Sequence, residues 1–425
     1  MKLECYWHET APRFAAAASQ PVAGQVDVAI VGGGFSGTAA AVALARRGAS
    51  VALFEAQRIG AHASGRNGGQ CNGGLAHDYP ALITSHGFER TRAWHQAYCA
   101  AVDTVERYVR EEAIDCDFAR RGRLKLAAKP AHFDGLARTC ELLATRIDPD
   151  YQLIPRERIR DEVASDAFHG GMLHPPSAQV HPARLAVGLA TAAARHGARI
   201  YEQAPVTGLE RLAGSTHRVT TPRGSLDAAQ VLVATGSTDI GPFGWFRRRL
   251  APVGSFIVMT EPLDPALLGR LLPRRRNYVT SRIIGNYFRP TADGRLLWGG
   301  RARFAMSNPR SDARSGAILR ESLGAVFPEL ARVRLDYCWG GLVDMTQDRL
   351  PRVGEHDGLW YAMGYSGHGV QMSVHMGDAM ARVMAGDASA NPWRELDWPA
   401  IPGHTGKAWF LPAVGAWYRI KDALY

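Results

Sequence analysis

The chain has 425 residues, roughly three times a typical single-domain length, so two domains or one interleaved pair are expected. Hydrophobic residues make up 46% and charged residues 21%, which excludes a wholly disordered chain, and no apolar run approaches the roughly 20 residues a membrane-spanning helix needs. The formal charge of +10, with clusters at Arg247–Arg249 and Arg274–Arg276, favours anionic partners but equally fits solvated surface arginines.

Residues 1–26 read as a polar lead without the apolar core of a secretory signal. The six cysteines, Cys5, Cys71, Cys99, Cys116, Cys140 and Cys338, are scattered with no CxxC pair. That argues against a zinc site and a disulfide framework, and it suits a reducing cytoplasm, the expected location. No metal is expected.

The first buried strand is Asp27-Val28-Ala29-Ile30-Val31, which runs into Gly32-Gly33-Gly34-Phe35-Ser36-Gly37. Gly32, Gly34 and Gly37 satisfy GxGxxG. An Ala-rich helix follows, ended by Gly48, and then a second strand, Ser50 to Phe54, closes on Glu55-Ala56. Gly32 permits the tight turn, Gly34 the approach of a diphosphate, and Gly37 close packing of helix on sheet. The helix N-terminus offers unpaired N–H groups to phosphate oxygens. Glu55, 18 residues beyond Gly37, is placed to accept ribose hydroxyls. Strand, glycines, helix, strand and acid in register specify a dinucleotide site, whereas GxGxxG alone would not.

NAD and FAD fit this unit equally, and the next segment arbitrates. Arg58 to Gln70 is a glycine- and polar-rich run longer than a connection needs. Its functional reading is a backbone-lined channel along a ribityl chain to an isoalloxazine, with Ser64, Arg66 and Asn67 as hydrogen-bonding groups; its plain reading is a surface loop. FAD is favoured. The unit from Asp27 to Glu55, followed by Ala63-Ser64-Gly65-Arg66-Asn67-Gly68-Gly69-Gln70, resembles the D-amino-acid oxidase/glycine oxidase superfamily of FAD-dependent amine oxidoreductases, in its gamma-glutamylputrescine oxidase branch. The resemblance implies an α/β fold in which a Rossmann-type FAD-binding domain is interleaved with an α+β substrate domain built on an antiparallel sheet. Residues 27–78, 155–241 and 337–390 are then expected in the FAD-binding domain, 79–154 and 242–336 in the substrate domain, and 391–425 in an aromatic tail.

Residues 79–150 pattern as mainly helical, and strands with turns follow Cys116. A helix starts at Pro182 and ends at Gly197, with a strand at 198–202 and an antiparallel meander over 206–221. Val231-Leu232-Val233-Ala234-Thr235-Gly236 is a buried strand ending on a small-residue turn. By the resemblance, Ala234, Thr235 and Gly236 lie by the FAD and Val206 by its adenine; a plain core strand explains the three apolar residues as well. From 242 to 336 the pattern is of alternating, aromatic-rich strands, with a hairpin over Asn286–Gly300 turning at Asp293-Gly294. Tyr287, Arg289, Trp298 and Arg301 are its pocket candidates, set against simple sheet packing.

Gly341 and Arg349 lead back toward the cofactor. An apolar strand then enters Gly364-Tyr365-Ser366-Gly367-His368-Gly369-Val370 ahead of a helix over 370–385, which matches the family's closing motif. That helix would face the flavin pyrimidine edge. His368 is the polar side chain expected nearest the ring, with helix capping as its rival role. His62-Ala63-Ser64-Gly65 resembles the His-Ala-Ala-Gly of dimethylglycine and sarcosine dehydrogenases, where the histidine is bonded to flavin; a noncovalent loop histidine is the alternative. Cys71 reads as a small buried filler. In the tail, Trp409, Phe410, Trp417 and Tyr418 are expected to dock on the protein body rather than on a membrane surface.

No second GxGxxG precedes a helix, so electrons should come from an organic substrate rather than a bound nicotinamide. The resemblance implies oxidation of a C–N bond in a small amine or amino acid, such as gamma-glutamylputrescine, with molecular oxygen or an electron carrier as acceptor. Arg282, Arg289, Arg301 and Arg303 are available to bind a substrate anion. The alternative is a flavin-dependent tRNA-modification enzyme, which needs a basic groove leading to the flavin.

Overall fold

Two eight-stranded sheets organise the computed structural model, which describes residues 1–300, 308–406 and 409–424. In chain order the elements that place the site begin with helix α1 (Tyr6–Thr10), strand β1 (Gln25–Val31), helix α2 (Phe35–Ala45) and strand β2 (Val51–Phe54). Helix α3 (Phe88–Glu111), strands β3 (Arg123–Leu126), β4 (Gln152–Ile154) and β5 (Gly171–His174), and helix α4 (Pro182–Arg195) follow. Next come β6 (Arg199–Tyr201), β7 (Gly208–Ala213), β8 (Thr216–Thr221), β9 (Gly224–Val233), β10 (Ala251–Thr260), β11 (Asn277–Thr280), β12 (Asn286–Pro290) and β13 (Leu296–Gly300). The last elements are helix α5 (Pro309–Val326), strands β14 (Leu335–Met345), β15 (Arg352–His356) and β16 (Leu359–Met363), and helices α6 (Gly369–Val383) and α7 (Leu411–Leu424).

The first sheet has the order β7-β8-β9-β1-β2-β6, with β16 parallel to β9 and β15 antiparallel to β16. Its centre is parallel: β1 pairs β2 on one side and β9 on the other. Such strands are buried on both faces, which is why they read as unbroken apolar runs. Helix α2 is buried along its whole length, and alanines at 39–41 let it lie between the sheet and α6. A Cβ on Gly377 of α6 would come within 3.0 Å of Ala39 Cβ, so glycine there allows the two helices to touch.

The second sheet runs β14-β10-β13-β12-β11-β3-β5-β4 and is antiparallel except where β3 and β11 pair. One face packs Leu124, Phe256, Tyr278, Phe288 and Trp298 with Leu319 and Leu323 of α5 in a separate core. The hairpin turns as expected, with Gly294 at φ +81°. Two expectations shift. An 18-residue helix, α5, interrupts the region patterned as strands, started by Asn308 Oδ1 accepting from Ser311 N–H and by Pro309. Strands β5 and β14, placed by the expected boundaries with the nucleotide-binding segments, pair in the second sheet.

The tail is held near its end, where Asp422 Oδ1 accepts from Ile283 N–H and its carbonyl from Lys129 Nζ. Trp409 and Trp417 are 70% and 63% exposed, so these two aromatics do not dock on the body as expected. No described helix is long and apolar enough to cross a membrane.

Candidate active site

The turn after β1 is shaped by backbone crowding. Gly32 has φ +113°, and a Cβ on it would lie 2.6 Å from the carbonyl oxygen of Ala234 at the end of β9. A Cβ on Gly37 would overlap the Gly32 carbonyl. Phe35 N–H donates to Ser64 Oγ at 2.9 Å, and a Cβ on Gly34 would come within 2.8 Å of that same oxygen. Glu55 stands beside the turn, its Oε2 accepting from Gly33 N–H and its Oε1 from Gln57 N–H, both at 2.8 Å. Burial raises its pKa, against the pull of those two N–H donors. Ala56 follows it, half-buried.

The loop over 58–70 contains one helical turn, Ala63–Arg66, with His62 exposed at its start. It is clasped from two sides. Arg66 Nε donates to Gly340 O and Trp339 Nε1 donates to Arg66 O, both at 2.8 Å, which ties the loop to β14. From α1, Trp7 Nε1 donates to Asn67 O at 2.8 Å, His8 Nε2 to Gly60 O at 3.0 Å, and Cys5 Sγ lies 3.6 Å from Gly65 O. Asn67 Oδ1 accepts from Gly69 N–H, while Gln70 Nε2 reaches Phe288 O. Cys71 is fully buried among core residues. Nothing in the polar lead signalled that Trp7 would brace this loop.

The far end of the chain returns to the same place. Ser36 Oγ and Tyr365 Oη are 2.8 Å apart and join the start of α2 to the turn before α6. Neither helix has an acidic residue in its first turn or a bond from its own N-cap side chain; at α2 Ser64 Oγ takes the Phe35 N–H, and the rest of each first turn keeps N–H donors for an anion. Gly364 and Gly367 have φ +76° and +97°, and Val370 is buried. His368 is the N-cap residue of α6 but forms no side-chain cap bond, which removes its rival role; its ring meets Tyr98 edge-on at 5.7 Å. Gly341 lies against Arg66, and Arg349 is exposed at φ +61°.

Asp344 was not foreseen. On β14, its carboxylate accepts from Ser237 N–H at 3.1 Å and from Ser237 Oγ, and a Cβ on Gly236 would overlap Oδ2. Burial raises its pKa, opposed by the serine bonds and the nearby His62 charge. The carboxylate thereby fixes the turn Ala234-Thr235-Gly236-Ser237 beside Gly32. Its partner is 107 positions distant in sequence, so no spacing motif could reveal it. Val206 is buried below this turn, in the core with Val31 and Phe54.

Register separates the hairpin candidates. Tyr287 pairs with Gly299 and Phe288 with Trp298, so Tyr287 and Trp298 face opposite sides of the sheet. Tyr287 lies on the loop side: a Cβ on Gly68 would come within 2.8 Å of its ring, and its hydroxyl is 3.1 Å from Ser255 Oγ. Trp298 is fully buried in the core with α5, donating Nε1–H to Ser322 Oγ, and is not a pocket residue. Arg289 is also buried; Nε donates to Gly68 O and Nη2 to Val180 O, both at 2.7 Å. Burial pulls its pKa down to about 10. Its donors are committed to the loop's backbone, so it positions the loop rather than offering a free anion site. Arg282 is exposed, while Arg301 and Arg303 lie outside the described residues. The arginine clusters are likewise engaged: Arg249 with Trp398 O, Trp245 O and the Trp245 ring, Arg247 with Asp239 O, Arg275 with Thr291 O, and Arg276 with both oxygens of Glu162.

A glycine turn, a carboxylate at the tip of β2 and two open helix N-termini converge on one clasped loop. The family described as FAD dependent oxidoreductase (DAO) matches residues 27–383. The chain belongs to this family. Gamma-glutamylputrescine oxidoreductase of Escherichia coli (strain K12) is 32% identical over 94% of this chain and 93% of its own length. A probable oxidoreductase, OrdL, of Rhizobium meliloti (strain 1021) is 32% identical over 98% and 97%. The crystal structure of glycine oxidase from Geobacillus kaustophilus superposes with a TM-score of 0.70 at 26% identity, covering 88% of this chain and 96% of that one. The protein is an FAD-dependent oxidoreductase, and the chemistry of the cradle fits that cofactor: the first turn of α2 carries no acidic residue, and the Ser64 hydroxyl, which accepts from Phe35 N–H, keeps its own proton to donate to an anion.

Proposed function

We propose that this chain oxidises the C–N bond of a small amine or amino acid, with gamma-glutamylputrescine as the first candidate on the strength of the Escherichia coli relative. The observation that carries the reading is the meeting of the α2 and α6 N-termini, free of acidic residues, over a loop whose backbone is clasped by Trp7, Arg289 and Trp339. In this reading Gly32 to Gly37 and Ser64 hold the diphosphate, and Glu55 holds the adenosine ribose. Ala63 to Gln70, with Ala234 to Gly236, Gly341, Arg349 and Gly364 to Val370, line the rest of the cofactor. Bound FAD supplies a two-electron acceptor for hydride from the carbon bearing a neutral nitrogen, and water hydrolyses the resulting imine.

The chain's own groups do the positioning. Gly367 to Val370 open α6, whose N–H groups and partial positive charge favour electron density arriving at the ring edge. Tyr287, seated on Gly68 and steadied by Ser255, presents an aromatic wall to the substrate side. In this reading His368, at the N-cap of α6, is the polar side chain set beside the ring. No side-chain base is required when the amine enters deprotonated, so proton removal precedes the redox step.

An anaerobic screen over amines, polyamines, N-methyl amino acids and D-amino acids tests this reading. At least one amine should bleach the flavin, and admitting air then distinguishes oxygen from a carrier as acceptor. A folded protein that refuses FAD, or a flavin that no amine reduces, overturns it. Acid precipitation tests His62: flavin released into the supernatant identifies a noncovalent cofactor.

A further inference from the structure

Strand β3 carries two cations in alternate positions. Arg123 and Lys125 project from the same face of the second sheet, while Leu124 and Leu126 turn the other way into the core with α5. Arg123 is 7% exposed; its one hydrogen bond runs from Nη2 to Tyr151 Oη at 3.3 Å, and its Nε has no partner. Lys125 is partly buried and makes no hydrogen bond or ion pair among the described residues. Burial, then the charges of Arg123 and Arg349, bring its pKa down to about 8. Asp78 is the acid that acts on it, more weakly than those cations, and its Oδ1 is engaged by Ala81 N–H. The residues outside the described set, 301–307, 407–408 and 425, contain no Asp or Glu. Two neighbouring cations withdrawn from water, neither in an ion pair among the described residues and only Asp78 acting weakly on Lys125, are costly unless an anion joins them.

Register places the pair toward the cofactor loop. Lys125 lies in a cross-strand row with Val279 and then Tyr287, whose ring rests on Gly68. Two strand spacings separate Lys125 from Tyr287, roughly 10 Å. Arg123 pairs with Asn277, whose Nδ2 donates to Asn72 Oδ1 just beyond the loop. Behind the cations the wall is fixed: the Tyr151 ring stacks on His174 at 4.5 Å, and Asp148 accepts from His95 and His174.

We propose that Arg123 and Lys125 bind a carboxylate carried by the substrate at a distance from its oxidised carbon. The proposal rests on the amine-oxidising reading above and narrows it. The favoured substrate is an extended amine ending in an acidic group, such as an aminoalkyl amide of a dicarboxylic amino acid. A plain polyamine brings to that end an ammonium with no carboxylate beside it and meets like charges, whereas the α-ammonium of a glutamyl end is offset by its own carboxylate. A short α-amino acid, with its carboxylate beside the reacting carbon, does not span the separation.

The FAD-loaded enzyme provides the test in two measurements. Calorimetric titration with glutarate, which is not an amine and is not oxidised, should show binding that weakens about 10- to 100-fold in Lys125→Met and in Arg123→Gln, with Lys125→Arg retaining most of it. The kcat/KM ratio for gamma-glutamylputrescine over putrescine should fall by a similar factor in Lys125→Met. Should Arg123→Gln fail to fold, Lys125→Met alone carries the test. Glutarate that does not bind wild type, or binds all variants equally, overturns the proposal, as does a wild-type enzyme indifferent to the glutamyl group. If glutarate binding depends on the pair and no amine bleaches the flavin, the anion site stands and the amine reading falls.

Discussion

The turn Gly32–Gly37 and the hairpin Asn286–Gly300 approach the same loop from opposite sides. The turn is held by backbone: Gly32 against Ala234 O, Gly37 against Gly32 O, Gly33 N–H on Glu55. The hairpin reaches the loop with side chains, Tyr287 over Gly68 and Arg289 on its carbonyl. Backbone packing tolerates almost no added atom, whereas a side-chain contact can be trimmed or exchanged at graded cost. Substitutions in the two regions should therefore differ in kind.

Gly37→Ala is expected to have the largest effect. Its methyl would overlap the Gly32 carbonyl, forcing α2 off β1, and the purified protein should be colourless by its flavin-to-protein absorbance ratio. A yellow Gly37→Ala protein would erase the contrast. On the hairpin side, Arg289→Met leaves Gly68 O and Val180 O without donors and should cost about 2–3 kcal/mol in urea denaturation, with Arg289→Lys recovering part.

A pH series sharpens the contribution of α1. Burial, then the charges of Arg184 and Arg289, depress the pKa of His181 to about 3; its Nε2 meets Thr10 Oγ1. His8 is brought down to about 4, again chiefly by burial. Because the unfolded chain takes up these protons near 6.5, the stability they contribute is whole above that pH and is lost as pH falls toward 4. The loss should be about 2–3 kcal/mol for each histidine by denaturation at pH 7.5 and pH 4.5. His181→Asn, which keeps an N-cap acceptor for Arg184 N–H without titrating, should remove about half of the combined loss and leave the share of His8. Asp148, whose pKa is held below the ordinary carboxylate value by the His174 and His95 bonds despite burial, stays ionised throughout this window.

Two smaller effects complete the comparison. Glu55→Gln should weaken FAD retention about tenfold in an equilibrium titration, with little change in melting temperature. Trp298→Phe should leave KM and kcat within about twofold while lowering stability by about 1–2 kcal/mol, because its ring packs against Phe288 and Phe327 on the side away from the loop. A large KM change there would return Trp298 to the pocket.

The same contrast explains what the sequence made legible. The strand, glycine turn, helix and Glu55 are close neighbours in the chain, and their spacing carries their geometry. So does the turn at Asp293-Gly294, where local chemistry selects the conformation. The sides faced by Tyr287 and Trp298 depend on one step of register across the hairpin, which alternation alone cannot supply. Asp344 and Ser237, or Trp7 and Asn67, meet only after both sheets have formed. Helix α5 went unseen because serines and Gly316 weaken its intrinsic preference, and packing of Leu319 and Leu323 on the sheet supplies what propensity does not.

The bracing of the loop by α1 bears on the order of assembly. Lys2 bonds through its backbone to Asp336 and Cys338, Glu9 accepts from Tyr337 Oη, and the Trp7 ring meets Trp339 edge-on. During synthesis these early residues wait for a strand made more than 300 positions later, so Trp7 reaches its final seat only once β14 has been translated. Gly364 to Val370 are made later still, so the N-terminal segment can latch the loop to β14 before the chain's last contribution to the cradle arrives.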